Sequence, residues 1–205
     1  MKTLLWIALS GLIFAETDCA IKITDTLTHV TTLDSGQKVK IERVQNVENV
    51  LRDDYTKTSR ICPPFCIQPT KVDRKINNIG EVELLKFIQE KVLTNKGLLI
   101  DTRLKSWYEL ETIPSAINIP YPAISEKILE TLGLFHKKDG SWDGSQAIEL
   151  LIFDNGVWCE QAKRFLNNIL MMNYPKDKIL YYRGGFQGWK LLGLTTTVHK
   201  EIRVD

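Results

Sequence analysis

The feature that most constrains the fold is an alternation of helical and strand patterns that begins at Ile79. Helical spacing appears in EVELLKFIQEKVL, SEKILETLGLF, CEQAKRFLNNILMM and FQGWKLLGL, and short apolar strands appear in GLLID, IELLIF and KILYY. Such alternation is typical of an α/β domain with a mostly parallel central sheet flanked by helices. Parallel sheets place functional sites at the carboxyl ends of their strands, where Asp101 and Asp154 fall.

The first residues have the pattern of a secretory signal. Lys2 precedes an apolar run from Leu4 to Phe14, and Ala15 is followed at once by polar residues. The run is too short to span a bilayer comfortably. We therefore expect residues 1–15 to be removed on export across the inner membrane. This predicts a periplasmic protein with no stable membrane span in its mature form, and a retained anchor is the alternative.

Residues 16–78 form a second predicted region that precedes the α/β pattern of residues 79–205. Alternating residues on either side of Asp34-Ser35-Gly36 predict a small β-hairpin. Residues 51–78, called the strap below, contain three prolines and no periodicity. We expect an irregular segment there.

The cysteines indicate a disulfide in an oxidising compartment. The chain has four cysteines, an even number that allows two bridges and three pairings. Cys62 and Cys66 can join only if CPPFC makes a tight turn, because extended proline-rich chain would hold them too far apart. Their pairing with Cys19 or Cys159 stays open. A metal site is not expected, because two thiols and three distant histidines lack ligand spacing. Those histidines are His29, His136 and His199.

The charge balance gives no indication of a nucleic-acid partner. The formal net charge is +2 over 205 residues, and the basic residues are scattered along the chain. The length is sufficient for one good core and a small additional module. The sequence leaves the oligomeric state open.

Two further motifs resemble the rhodanese-like domain of the sulfurtransferase family. LLIDTR followed by TIPSAINIPY is similar to the first half of that domain, with Asp101 and Arg103 in its Asp-x-Arg motif and Ser115 at a usual glycine. ILYYRGGFQGWKLLGL is similar to its end. The resemblance covers about residues 79–195 and implies the rhodanese fold. It implies no cofactor, and a small sulfur-containing anion or a protein sulfur donor or acceptor as partner.

The resemblance also identifies the family's active loop. In the family a cysteine that carries a persulfide begins this loop, and inward backbone amides stabilise an anion there. Here DNGVWC is similar to an exported variant that reads Cys-Asn-Gly-x-Trp-Cys, with Asp154 at the first cysteine and Cys159 at the second. The resemblance implies that loop residues and Arg103 contact the substrate. The loop residues concerned are Asn155, Gly156, Val157, Trp158 and Glu160.

Asp154 cannot form a persulfide, so its role differs from that of the family's nucleophile. We expect it to accept the loop amides and cap the following helix, and a base that deprotonates Cys159 is the alternative. Cys159 lies at the helix start, where amides lower a thiol pKa, although the Asp154 carboxylate opposes this. We expect a modest depression of the Cys159 pKa at most. A disulfide or an inert buried thiol is the alternative for Cys159.

Other residues of this region are expected to be mainly structural. A supporting role is expected for Arg103 and Arg183, and core packing for Trp189. Trp158 is expected to pack or to form a lid over the loop. The sequence therefore predicts an exported sulfurtransferase or persulfide carrier that uses Cys159. One alternative is a non-catalytic binding module whose loop is filled by Asp154. A weaker alternative is dithiol chemistry between Cys159 and Cys62 or Cys66.

Overall fold

The computed structural model describes residues 20–199, so the predicted signal segment and Cys19 lie outside the described part. A π-helical turn at Ile88–Val92 continues the first helix, and 3₁₀ turns lie at Asp54–Thr56 and Lys176–Lys178. The strands are β1 (His29–Asp34), β2 (Gln37–Glu42), β3 (Asn77–Asn78), β4 (Gly97–Asp101), β5 (Ala116–Asn118), β6 (Phe135–His136), β7 (Trp142–Asp143), β8 (Glu149–Phe153) and β9 (Ile179–Tyr182). The α-helices are α1 (Glu81–Phe87), α2 (Lys105–Leu110), α3 (Glu126–Thr131), α4 (Gln161–Met171) and α5 (Gly185–Leu191).

A five-stranded parallel sheet forms the centre of the fold, with the order β3-β9-β8-β4-β5. β8 lies in the middle and is an almost continuous apolar run, as expected for a strand covered on both faces. Apolar side chains of α3 and α4 cover one face of the sheet, and those of α1 and α5 cover the other. The predicted α/β fold is confirmed.

The predicted hairpin of β1 and β2 is also confirmed, and it packs on the domain itself. Val30 and Ile41 are buried in the same apolar cluster as Trp189, which is fully buried as predicted. The hairpin also holds Ser115, whose backbone has a left-handed φ of +71° where glycine is usually favoured. The amide of Ser115 donates to Asp34 Oδ1 at 2.8 Å, and its hydroxyl donates to the Leu33 carbonyl at 2.8 Å.

Some features of the fold were not predicted. α2 and the small β6–β7 hairpin have no clear pattern in the sequence, and the central sheet begins with β3 inside the strap. α4 begins at Gln161, two residues after Cys159, and buries the expected apolar side chains except Leu170, which is partly buried. Within residues 20–199, no helix is long and apolar enough to cross a membrane.

Candidate functional site

The loop between β8 and α4, residues 154–160, lies at the carboxyl end of the central strand and is called the site loop. Asp154 and Asn155 follow β8 directly and are buried. Gly156 has a φ of +137°, a conformation that side chains rarely adopt. Gly185 packs against this turn so closely that a Cβ there would stand 2.4 Å from the Gly156 nitrogen. The loop is therefore shaped by two glycines that approach each other.

Asp154 directs its carboxyl group at the backbone amides of the site loop. Its Oδ1 accepts from the Gly156 amide at 3.0 Å, and its Oδ2 accepts from the Ala162 amide in the first turn of α4 at 2.9 Å. The side chain is fully buried. Asp154 therefore makes the contacts with the loop and helix amides that we expected from the sequence.

Burial changes the protonation of this carboxyl group. Removal from water raises the pKa of Asp154 from 3.8 to about 7, and the negative charge of Asp101 adds to the rise. The two amide donors and a hydrogen bond from the Cys159 thiol lower the pKa of Asp154 but do not compensate for burial. Near neutral pH, Asp154 therefore exists partly as the neutral acid.

Cys159 does not have the activated thiol that we expected. Its side chain is 5% exposed, and the Asn155 amide nitrogen lies 3.5 Å from its Sγ. Burial, with the charge of Asp154 beside it, raises the pKa of Cys159 to about 12. Amides of the helix start act in the predicted direction but are outweighed. The expected depression of the Cys159 pKa is therefore wrong.

The strap closes the site from outside. The Gln68 amide donates to the Val157 carbonyl at 2.8 Å, and the Tyr55 hydroxyl donates to Asn155 Oδ1 at 2.8 Å. Arg183 donates to the Gln68 carbonyl at 2.8 Å and so holds the strap. These contacts hold the strap against the site loop, near whose end Cys159 is buried.

A disulfide joins Cys62 to Cys66, with their Cα atoms 4.6 Å apart. The chain makes the required tight turn with cis peptide bonds before Pro63 and Pro64. Among the cysteines within residues 20–199, Cys159 is free. The structure therefore selects the local pairing from the alternatives and leaves no partner thiol in the strap for dithiol chemistry with Cys159.

Arg103 has a supporting position beside the site. Its guanidinium forms a buried ion pair with Asp101 at 2.5 Å and donates to the Tyr55 hydroxyl at 2.8 Å. It also donates to the Glu111 carbonyl at 2.7 Å and lies over the ring of Phe186. Through these contacts the Arg103 guanidinium connects the strap, at Tyr55, with the central sheet, at Asp101. Its predicted contact with substrate stays a prediction.

The remaining loop residues also contact protein groups. Trp158 is buried and donates from Nε1 to Gln187 Oε1 at 2.8 Å. Its ring packs against the Arg60 guanidinium, 3.9 Å away, and against the Phe65 ring, 5.6 Å away at a steep angle. Glu160 pairs with Arg164 at 2.5 Å. Trp158 therefore packs against the strap, which is the structural alternative given above.

One cavity adjoins the site loop at Cys159, and another lies beside Arg103. A cavity of about 250 Å³ has Cys159 on one wall and Pro64 and Phe65 of the strap on another. A second cavity of about 430 Å³ lies between the strap and α2, against Tyr55, Trp107 and other residues. The strap residues Tyr55, Arg60 and Phe65 were missed by sequence reasoning, because an irregular segment has no pattern that indicates what it touches. In the described part of the chain, no group of three His, Cys, Asp or Glu side chains is placed to hold a metal ion.

Comparison with known proteins identifies the family. The family model for the rhodanese-like domain matches residues 82–192, more than half of the chain. The chain belongs to the rhodanese-like domain family. It is related in this way to the sulfurtransferases.

Individual relatives are distant. An uncharacterized protein of Buchnera aphidicola is 27% identical over 127 residues, which cover 57% of this chain and 76% of the relative. A solved protein of Bacillus halodurans is 17% identical with a TM-score of 0.48, over 63% of this chain and 82% of that one. A thiosulfate sulfurtransferase of Pseudomonas aeruginosa is 15% identical with a TM-score of 0.43, over 62% of this chain and 21% of that one.

Proposed function

We propose that this protein is a non-catalytic rhodanese-like binding module, in which Asp154 replaces the family's nucleophile and fills the anion cradle with its own carboxyl group. The observation that supports this most is the pair of hydrogen bonds from the Gly156 and Ala162 amides to Asp154. Donors that would stabilise a bound sulfur anion are thus already occupied. The nearby guanidinium of Arg103 is paired with Asp101 and does not offset the added charge.

A sulfur carrier that uses Cys159 is the second candidate. The observation in its favour is that Cys159 is free and lines a cavity of about 250 Å³ beside the site loop. Its raised pKa opposes this function, because the thiolate is the nucleophile in sulfur transfer. The strap would also have to move before a donor protein could reach the thiol.

A transferase assay with persulfide trapping separates the two candidates. We expect the wild-type protein to show no thiosulfate:cyanide turnover above background and no trapped sulfur on Cys159 after incubation with thiosulfate. Asp154→Cys would place a thiol among the amide donors and is expected to form a trappable persulfide. Asp139→Cys is the matched control, because it places a thiol at an exposed position far from these amides in sequence.

The proposal has a definite contrary outcome. Wild-type turnover similar to that of an ordinary rhodanese, or sulfur trapped on Cys159, would refute the non-catalytic function. Persulfide on the Asp139→Cys control to the same extent as on Asp154→Cys would show that the cradle gives no special stabilisation.

Export to the periplasm is a further part of the proposal. It is supported by the pattern of Lys2, an apolar run and Ala15, and by a disulfide of the kind that persists in oxidising compartments. We expect the mature protein to lack residues 1–15. The intact mass of the protein from an envelope fraction tests this, and a mass that includes residues 1–15 would contradict it.

A further inference from the structure

The disulfide loop of the strap, Cys62 to Cys66, forms part of the cover of Cys159. Pro64 and Phe65 lie inside that loop and line the cavity of about 250 Å³ that contains the thiol. Phe65 also packs edge-on against Trp158 of the site loop, with ring centroids 5.6 Å apart. The covalent link thus fixes the two residues that separate Cys159 from solvent on this side.

Little buried apolar surface attaches this disulfide loop to the rest of the domain. Ile61 and Ile67, which flank the two cysteines, are 81% and 82% exposed. The next attachment along the chain is Gln68, through its amide to the Val157 carbonyl and through its own carbonyl to Arg183. With so few contacts, the strap can open locally at a free-energy cost that is small compared with unfolding of the core.

The disulfide itself can be reached by a reductant. Cys62 is exposed, Cys66 is partly exposed, and both line an open groove on the outer side of the strap. Cys159 lines the separate cavity beneath Pro64 and Phe65. A dithiol can therefore contact the Cys62–Cys66 disulfide without first entering the cavity of Cys159.

We propose that the Cys62–Cys66 disulfide is a reversible redox modification site, whose reduction by a dithiol opens the strap and exposes Cys159. In this step the dithiol attacks the bridge and is oxidised to its own disulfide. The Cys62–Cys66 bond breaks, and two electrons and two protons pass to the pair of thiols. The inference goes beyond the proposed function, because it concerns access to Cys159 and does not depend on catalysis.

The size of the effect follows from the restriction that the bridge imposes. Closing a loop of this length reduces the freedom of the open chain by about 30-fold in the chain-entropy description. Reduction should increase the population of the open strap by a factor of up to that order. We expect the rate at which Cys159 reacts with a neutral alkylating agent to rise by about 10-fold or more.

The test measures alkylation of Cys159 by N-ethylmaleimide at pH 8, by mass spectrometry of the peptide that contains it. The full-length mature protein is compared in its oxidised form and after treatment with dithiothreitol, which is then removed without air. The double variant Cys62→Ser and Cys66→Ser serves as a permanently unbridged protein. We expect it to match the reduced wild type and to show no response to dithiothreitol.

Hydrogen exchange of the β8 amides distinguishes strap opening from general unfolding. We expect the Leu151 and Ile152 amides to keep their protection in the reduced protein, while the Gln68 amide, which bonds to the site loop, loses it. Equal alkylation rates for oxidised and reduced protein would overturn the proposal. Loss of β8 protection in step with Cys159 alkylation would overturn it too, as would a response of the double variant to dithiothreitol.

Discussion

The raised pKa of Asp154 predicts that the wild-type protein loses stability as the pH rises from about 4 to about 7. A carboxyl group whose folded pKa lies above its unfolded value binds more protons in the folded state within that window. Its stabilising contribution is complete below the unfolded pKa of 3.8 and is lost as the pH passes the folded pKa of about 7. The dependence of stability on pH is therefore opposite to that of a carboxylate paired with cations, whose contribution is lost as the pH falls.

The magnitude follows from the difference between the two pKa values. A shift from 3.8 to about 7 corresponds to about 4 kcal/mol in the free energy of unfolding, since one pKa unit is worth about 1.4 kcal/mol. About 3 kcal/mol of this falls between pH 4.5 and pH 8, where acid unfolding by other groups interferes less. No discount for solvent screening applies, because the side chain is fully buried.

Urea unfolding of the wild type and of Asp154→Asn across this pH range is the appropriate assay. The variant does not titrate at this position, so the difference between the two proteins isolates Asp154 from the histidines that both contain. Asp139→Asn is the matched control. Asp139 is exposed with a lowered pKa, so its contribution is already constant above pH 4.5.

The ¹³C shift of the Asp154 carboxyl carbon measures the pKa directly. We expect its midpoint near neutral pH. A difference between wild type and Asp154→Asn that is constant from pH 4.5 to pH 8, or that increases, would refute the reasoning. It would mean that the Gly156 and Ala162 amides and the thiol stabilise the carboxylate more than burial destabilises it.

Two further predictions concern the groups that hold the site in place. Arg103→Met should lower the free energy of unfolding by about 3–5 kcal/mol, because it leaves Asp101 as an unpaired buried charge, whereas Arg164→Met removes an exposed ion pair and should have a much smaller effect. Equal losses in urea unfolding would contradict this. Gly185→Ala should destabilise the protein more than Gly140→Ala. Both glycines have a left-handed φ, so a side chain at either position costs about 1–2 kcal/mol of backbone strain. At Gly185 the new Cβ would also clash with the site loop, whereas at Gly140 it would meet nothing within 4 Å. A larger perturbation of the Gly156 amide signal in Gly185→Ala tests the location of the strain, and identical behaviour of the two variants would refute it.

The parts of the fold that follow from local pattern were predictable from the sequence. β4, β8 and β9 are short apolar runs, and strands of this kind belong in a parallel sheet covered on both faces. The contact of Asp154 with the loop amides was predictable too, because a carboxylate at a helix start accepts nearby amides. These features depend on residues that are close in the chain.

The protonation of Cys159 was not predictable, because it depends on the strap. Gln68 and Tyr55 reach the site loop from about 90 to 100 residues earlier in the chain, through single hydrogen bonds that leave no periodic signal. The strap covers Cys159 with Pro64 and Phe65. Burial and the charge of Asp154 outweigh the helix amides. The sequence identified the relevant cysteine but not its environment.

The two buried aspartates at neighbouring strand ends support the proposal that this site does not stabilise a bound anion or a thiolate. Asp101 is paired with Arg103, so that guanidinium is already neutralised, and the Asp154 carboxyl group accepts hydrogen bonds from the Gly156 and Ala162 amides and from the Cys159 thiol. A thiolate at Cys159 would add a further negative charge beside them. With a pKa of about 12, the thiolate fraction at pH 7 is on the order of 10⁻⁵, which corresponds to a cost of about 7 kcal/mol. Protonation of Asp154 at lower pH removes one charge but also suppresses the thiolate. Lowering the pH therefore does not activate Cys159, whereas exposure of the thiol to water would remove the largest cause of its raised pKa.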